Sequence, residues 1–333
     1  MNKLLKALVE TPFLPQLQER MFELIKSEVD FARVESDDLG NIKLTSRKEN
    51  VKEVVLFAHL NEIGFIVEHV DENGFLRFRS SSAVDERSLL GQRMMIHTKD
   101  GDIRGVIGAK PPHLLEREEA KKPVRITDMF LDVGAYSRKE AEEMGIRIGD
   151  PITLEGQLRE LPDNRFVSKA MDDRAGCVAV IEALRGLYER GISATGWLLA
   201  QESAFPRGLK PDFAVAVEAT LAGPYPLERV RIERHELPVE LGKGPVLTLQ
   251  EGGLVISQKV RELLDEAASK AKVKLQVEAE SRAKIDRVNP MKQNFPSAIL
   301  SIPVKYLRTP NEMISGTDLE QTISVLQNFV ESA

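Results

Sequence analysis

A histidine and several polar residues follow an apolar run in this chain of 333 residues. The run Val54–Ala58 ends at His59, and Asn61 and Glu62 lie within three positions of that histidine. Side chains at the carboxyl end of a buried strand reach the crevice where open α/β sheets bind their ligands. His59 could act there as a metal ligand or as a base, and a histidine satisfied inside the core is the competing interpretation.

Three later stretches favour the chemical interpretation, because each brings a carboxylate to the end of an apolar run or close to it. They are Met171-Asp172-Asp173-Arg174, Gln201-Glu202-Ser203 and Ala216-Val217-Glu218. One histidine with several carboxylates on separate elements suits a hard or borderline divalent ion such as zinc, cobalt or manganese. A pair of such ions that share one bridging carboxylate is a common means of hydrolysing amides and phosphates.

The elements that position these residues are predicted from the spacing of apolar residues. Two helices fall within residues 3–30, and short alternating segments between about 68 and 164 are typical of β-structure, with one short helix near 137–144. Beyond residue 165, helices are expected near 172–190, 255–272 and 317–331, and strands near 195–200, 213–217, 273–279 and 297–302. The sequence therefore predicts an α/β domain formed by residues 1–67 and 165–333, with an inserted β domain at 68–164.

Composition narrows the classes of partner and compartment. A net charge of −6 argues against nucleic acid or an anionic membrane as the main partner. Cys177 is the only cysteine, which excludes an internal disulfide framework and fits a reducing cytosol with a buried thiol. No apolar run approaches the roughly 20 residues of a membrane span, and the amino-terminal residues predict an amphipathic helix rather than a signal peptide. We expect a cytoplasmic protein.

Four motifs together resemble the tetrahedral (TET) aminopeptidase family, which includes the glutamyl and deblocking aminopeptidases and some members named endoglucanase. The motifs are Ala58-His59-x-Asn61-Glu62-Ile63-Gly64-Phe65, Gly105-Val106-Ile107-Gly108-x-x-Pro111-Pro112-His113, Lys169-Ala170-Met171-Asp172-Asp173-Arg174-x-Gly176 and Ser301-Ile302-Pro303-x-Lys305-Tyr306. The resemblance implies a phosphorylase/hydrolase-like metallo-exopeptidase domain and an inserted β-barrel or PDZ-like dimerisation domain. It also implies dimers that build a dodecamer, and peptides as substrates.

The resemblance assigns one metal ion to His59, Asp172 and Glu218, although Glu218 stands where the family usually has Asp. It assigns the general base to Glu202. Asp173 and Arg174 would orient the turn at Asp172, and the resemblance implies a cis peptide between Asp172 and Asp173. His69, His97 and His235 are predicted to be surface or packing residues, and His113 a structural residue of the inserted domain.

The second metal position departs from the family pattern. Ser203 and Arg308 stand where the family has a Glu and a His ligand, and Asn61 replaces the Asp that supports the base. The Gly-rich Thr-Asp-Ala segment expected before Pro296 is replaced by the sequence at 286–290. A guanidinium has no lone pair for a metal. We therefore expect at most one ion, and hypothesise that Arg308 pairs with Asp172 or Glu202 and repels a second ion.

Three functions remain open from the sequence. The first is an aminopeptidase that works with one ion. The second is a non-catalytic homologue that binds peptides or regulates an active paralogue. The third is a different hydrolase, for example one that acts on glycans. A site centred on a metal argues against the third function, because most glycosidases use paired carboxylates without a metal.

Overall fold

The computed structural model describes residues 1–46, 53–119, 121–202, 204–226, 237–252, 254–280, 290–293 and 295–333. Two compact units divide the chain. The first contains Met1–Asn61, Gln157–Leu307 and Asn311–Ala333, and the second contains Glu62–Gly156 and Arg308–Pro310. The predicted metallopeptidase role of the first unit and the predicted dimerisation role of the second stay predictions.

A mixed sheet of nine strands forms the centre of the first unit, in the order β1-β2-β12-β3-β13-β17-β14-β15, with β16 paired to β14. Strands β12, β3, β13 and β17 run parallel to one another, whereas β2 and β14 are antiparallel to their neighbours in this group. The bounds are β1 Ala32–Ser36, β2 Ile42–Ser46, β3 Val54–His59, β12 Thr195–Leu199, β13 Phe213–Leu221, β14 Val246–Glu251, β15 Leu254–Val255, β16 Gln276–Glu280 and β17 Ser297–Val304. A separate antiparallel sheet joins β10 Arg159–Leu161, β11 Arg165–Ser168 and β18 Glu312–Ser315.

Strand β3 is buried on both faces, as its uninterrupted apolar sequence predicts. Alternate residues of a strand point to opposite faces. Val54, Leu56 and Ala58 accordingly pack in one apolar cluster, whereas Val55 and Phe57 pack in another. Helices contribute to the larger cluster, and their bounds are α1 Asn2–Glu10, α2 Gln18–Glu28, α4 Met171–Glu189, α5 Gln258–Ala271 and α6 Gly316–Ser332.

The second unit is built on a closed barrel with the strand order β4-β5-β8-β7-β6-β9. The strands are β4 Gly64–Val70, β5 Leu76–Ser80, β6 Arg93–Thr98, β7 Gly101–Gly108, β8 Phe130–Asp132 and β9 Pro151–Leu154, and the one α-helix described in this unit is α3, Arg138–Glu143. Phe65, Leu76, Met94 and Leu131 lie in its apolar core. Closure pairs every strand on both sides, which leaves no exposed sheet edge.

Several element bounds differ from the sequence prediction. The helix expected at 255–272 begins at Gln258, because Val255 belongs to β15 and the Ser257 hydroxyl accepts a hydrogen bond from the Val260 amide, which caps the helix. Strand β14 was not predicted, although the run Val246-Leu247-Thr248-Leu249 has the apolar and β-branched residues that are typical of a strand. Within the described ranges, no helix combines the length and apolar character that a membrane span requires.

Candidate metal centre

Two neighbouring parallel strands bring His59 and Glu218 to the same sheet edge. His59 is the last residue of β3, and Glu218 lies in β13. The register pairs Phe57 with Ala216, two positions before each of these residues. Because side chains alternate along a strand, His59 and Glu218 fall on the same face of the sheet. Both side chains are buried.

The start of α4 supplies two further carboxylates. Asp172 and Asp173 have non-helical backbone angles, and the peptide between them is cis, as the resemblance implied. One ligand atom from each of His59, Asp173 and Glu218 lies within 4.8 Å of the others. The Oδ1 atom of Asp172 lies 3.3 Å from Nε2 of His59. The structure thus places both aspartates at the histidine, including Asp173, to which the sequence assigned only a supporting role.

The environment of His59 fits a metal ligand. Among the described residues, neither ring nitrogen of this buried histidine has a hydrogen-bond partner of acceptable geometry. A buried polar nitrogen without a partner is costly, and coordination to a cation would remove that cost. Imidazole and carboxylate together form a donor set that zinc, cobalt and manganese accept. The residues present therefore fit one divalent ion.

The charges of the cluster also favour a cation. Burial by itself lowers the pKa of His59. The carboxylate of Asp172 and the charges of Glu202 and Glu218 act in the opposite direction and outweigh burial. The pKa of His59 therefore rises to about 10. Burial, followed by the charge of Glu218, raises the pKa of Asp173 well above its usual range. Both raised pKa values reflect an excess of negative charge at a buried position, which a divalent cation would neutralise.

Backbone groups hold the Asp173 carboxylate in place. Its Oδ2 accepts a hydrogen bond from the His59 amide at 3.2 Å, and its Oδ1 accepts one from the Gly176 amide at 3.2 Å. A Cβ atom added to Gly176 would lie 2.2 Å from Oδ1 of Asp173, so a glycine is required at this position. The buried Cys177 thiol donates to the His59 carbonyl at 3.1 Å, which agrees with its predicted structural role.

Two supporting residues tie the helix start to distant parts of the first unit. The Asp172 amide donates to Oε2 of Glu312 at 2.9 Å, and Glu312 is buried. Arg174 is fully buried, and its Nη1 donates to the Leu8 carbonyl at 2.9 Å. Arg174 thus connects α4 to α1. Sequence reasoning missed Glu312, since no motif marks this residue as a neighbour of Asp172.

The predicted base Glu202 lies in the loop after β12. Its Oε2 accepts a hydrogen bond from Nδ2 of Asn61 at 3.0 Å. Asn41, which the sequence analysis missed, holds both ends of this loop: its Oδ1 accepts from the Ala200 amide at 2.8 Å, and its Nδ2 donates to the Ala204 carbonyl at 2.8 Å. The contact of Asn41 with the Glu202 loop joins segments 159 positions apart, which no local sequence pattern indicates.

The assignment of two positions to a second ion stays a prediction. Ser203 lies outside the described residues, as do His235 and residues 286–289. Arg308 belongs to the second unit, where its carbonyl accepts a hydrogen bond from the Asp85 amide at 3.3 Å. Its predicted ion pair with Asp172 or Glu202 stays a prediction.

Known proteins resemble the chain over almost its full length. It is 32% identical over 341 residues to the lysyl aminopeptidase of Pyrococcus furiosus, a match covering 99% of this chain and 96% of the relative. A TET aminopeptidase from a marine-sediment Thaumarchaeota archaeon superposes with a TM-score of 0.87 at 29% identity, covering 99% and 95% of the two chains. The TET1 peptidase of Pyrococcus horikoshii, which can assemble into a tetrahedron or a large octahedral shell, gives a TM-score of 0.85 at 26% identity, with 98% of each chain covered.

The family comparison agrees with these relatives. The sequence pattern of the M42 glutamyl aminopeptidase family matches residues 40–325, which include the histidine and all the carboxylates of the site. The family resemblance predicted from the four motifs is therefore confirmed, and the chain belongs to the M42 family of aminopeptidases.

Proposed function

We propose that this protein removes amino-terminal residues from peptides with one divalent ion. His59, Glu218 and the Asp172–Asp173 pair would hold that ion. The observation that carries the proposal is the buried group of His59, Asp173 and Glu218, in which one ligand atom of each residue lies within 4.8 Å of the others. A divalent ion bound there would polarise a peptide carbonyl and increase the acidity of a bound water.

Glu202 is the proposed general base, because a carboxylate near such an ion can take a proton from the attacking water. Asn61 donates its hydrogen bond to Oε2 of Glu202, and this bond fixes the orientation of the carboxylate. Asn61 thereby takes over the orienting role that the family gives to an Asp. As an amide, Asn61 adds no negative charge next to Glu202, unlike an aspartate.

The second ion is the part of the family site that we propose to be lost. A serine hydroxyl at position 203 is a poor ligand, and the Arg308 guanidinium cannot be a ligand at all. The replacement of Glu by Ser removes one negative charge and that of His by Arg adds one positive charge. The net change of +2 equals the charge of the missing ion. Activity with one ion is chemically sound, since a single bound ion can lower the pKa of water to about 7.

We include assembly and compartment in the proposal. The TET1 relative can assemble into a tetrahedron, which supports a dodecamer built from dimers for this chain as well. A single buried cysteine suits the reducing cytoplasm. Peptides would be the substrates, as the names of the aminopeptidase relatives suggest.

Hydrolysis of a panel of amino-acid p-nitroanilides by the zinc-, cobalt- or manganese-loaded protein tests this function. We expect measurable release that Glu202→Gln reduces by about a hundredfold or more, the usual scale for loss of a general base. Glu189→Gln, at the exposed end of α4, is the matched control and should leave the rate unchanged. A metal-loaded protein that hydrolyses none of the panel, nor unmodified peptides, would instead support the non-catalytic peptide-binding alternative.

A further inference from the structure

A cavity of about 550 Å³ lies within the second unit, beside the carboxyl end of β4 and around α3. The volume falls in the range of roughly 300–1,000 Å³ that is typical of small-molecule sites. The residues that line this cavity include none of the proposed metal ligands and not Glu202. Any ligand bound here would therefore belong to a site other than the proposed metal centre.

Positive charge predominates in the cavity wall. Two arginines, Arg138 and Arg147, line it together with His69, against the single lining carboxylate of Glu142. The whole chain carries a net charge of −6, so this local excess of cationic side chains runs against the composition. Arginine is the side chain best suited to bind planar or tetrahedral oxyanions, because its fork of N–H donors matches their oxygen atoms.

Arg138 has hydrogen-bonding capacity that its neighbours do not use. Its Nη2 contacts Oε1 of Glu72 at 2.9 Å and Nε2 of His69 at 3.4 Å. Its Nε is buried and, among the described residues, has no hydrogen-bond partner. A buried N–H without an acceptor is unfavourable, and an oxyanion would supply the acceptor. The Glu72 side chain is 83% exposed, so this ion pair is weak and a ligand could replace it.

Arg147 is held in a fixed orientation by the main chain. Its Nη1 donates to the Glu142 carbonyl at 2.7 Å and to the Ile146 carbonyl at 2.8 Å. The Nε and Nη2 donors of this guanidinium form no hydrogen bond with the residues that the structure describes. A guanidinium that is already oriented loses little conformational freedom when it binds an anion.

Apolar side chains complete the wall. Val70 and Ile146 are buried, whereas the Ile148 side chain is 69% exposed. We propose that this cavity binds a small molecule that carries one oxyanion, a carboxylate or a phosphate, on a short apolar body. Arg138 and Arg147 bind the oxyanion, and the exposed face of Ile148 packs against the apolar body.

Calorimetric titration of the metal-loaded, full-length protein with isocaproate and with butyl phosphate tests the proposal. We expect saturable binding of at least one of these probes, and weaker binding of acetate, which lacks the apolar body. The tighter of the two probes identifies the oxyanion as carboxylate or phosphate. Failure of both probes to bind, or equal binding of acetate, would overturn the proposal.

Matched variants locate the binding. Arg147→Gln should weaken the tighter probe by about tenfold or more, the effect of one charge-assisted hydrogen bond. Arg138→Gln provides the same test should Arg147→Gln fail to fold. Arg104→Gln is the control, since this exposed arginine of the same unit pairs with Glu155 and does not line the cavity. Equal binding by all three variants would refute the site.

A further variant separates this site from the metal centre. Carboxylate probes could also bind an ion held by His59, so the titration is repeated with His59→Ala. We expect the affinity for the tighter probe to be unchanged in this variant. Loss of binding in His59→Ala, with binding kept in Arg147→Gln, would assign the probe to the metal centre and overturn the proposal, whatever the outcome of the hydrolysis assay.

Discussion

Replacement of Gly176 by alanine should displace the Asp173 carboxylate from the position that the structure gives it. The added Cβ would lie 2.2 Å from Oδ1 and 2.5 Å from Cγ of Asp173, distances far too short for non-bonded atoms. Oδ1 and Oδ2 accept hydrogen bonds from the Gly176 and His59 amides. The carboxylate cannot move away from Cβ and keep both bonds.

The expected cost follows from these contacts. Two hydrogen bonds to a charged group contribute roughly 1.5–3 kcal/mol each. Alanine is favoured over glycine inside a helix by about 1 kcal/mol, which offsets part of the loss. We therefore expect Gly176→Ala to lower the free energy of unfolding of the metal-free protein by roughly 2–5 kcal/mol. Metal affinity should fall as well, because Asp173 belongs to the group that faces His59.

Gly186→Ala is a matched control on the same helix. A Cβ at Gly186 would meet Nε2 of Gln327 at 2.3 Å, but this is the end of a flexible side chain that can move aside. Urea unfolding of the metal-free variants and zinc titration of each should therefore separate the two substitutions. If Gly176→Ala is as stable as Gly186→Ala and binds zinc equally well, the account of how Asp173 is held is wrong.

Three further predictions concern other parts of the first unit. Asn41→Ala should reduce kcat by about a hundredfold with a smaller change in KM. The reason is that the Glu202 loop loses both of its hydrogen bonds to the Asn41 side chain, and a small misplacement of a catalytic group is costly. An unchanged kcat in the p-nitroanilide assay would refute this positioning role. Asp318→Asn should lower the free energy of unfolding by roughly 1–3 kcal/mol. The buried Asp318 carboxylate accepts hydrogen bonds from the Gly242 and Gly244 amides at 2.6 and 2.8 Å, and an asparagine side chain has only one oxygen to accept them. Urea unfolding measures the change, with Glu320→Gln, exposed on the same helix, as the control. Zinc at a hundred times its dissociation constant should stabilise the wild type by about 2.7 kcal/mol and leave His59→Ala unaffected, and equal stabilisation of both in thermal unfolding would contradict the assigned ligand.

The local sequence was sufficient where one segment determines its own structure. The run Val54–Ala58 predicts a doubly buried strand, and the structure has that strand with His59 at its end. Glu218 likewise ends an apolar run, and parallel pairing with β3 places it beside the histidine. Such residues could be found because strand ends meet at one edge of a parallel sheet.

Contacts between distant segments could not be predicted in the same way. Asn41 and Ala200 are 159 positions apart, and Asp172 and Glu312 are 140 apart. Nothing in either local sequence indicates these pairs, since they depend on how the whole unit folds. The ligand-like position of Asp173 depends on the backbone at the start of α4, where its angles depart from those of a helix.

The number of divalent ions bound per chain tests the central claim most directly. Mass spectrometry after incubation with zinc, cobalt or manganese and desalting measures this number. We predict one ion in the wild-type protein and none in His59→Ala. Two ions in the wild type would contradict the single-ion site and restore an ordinary dinuclear aminopeptidase, and an ion retained by His59→Ala would contradict the assignment of the ligand.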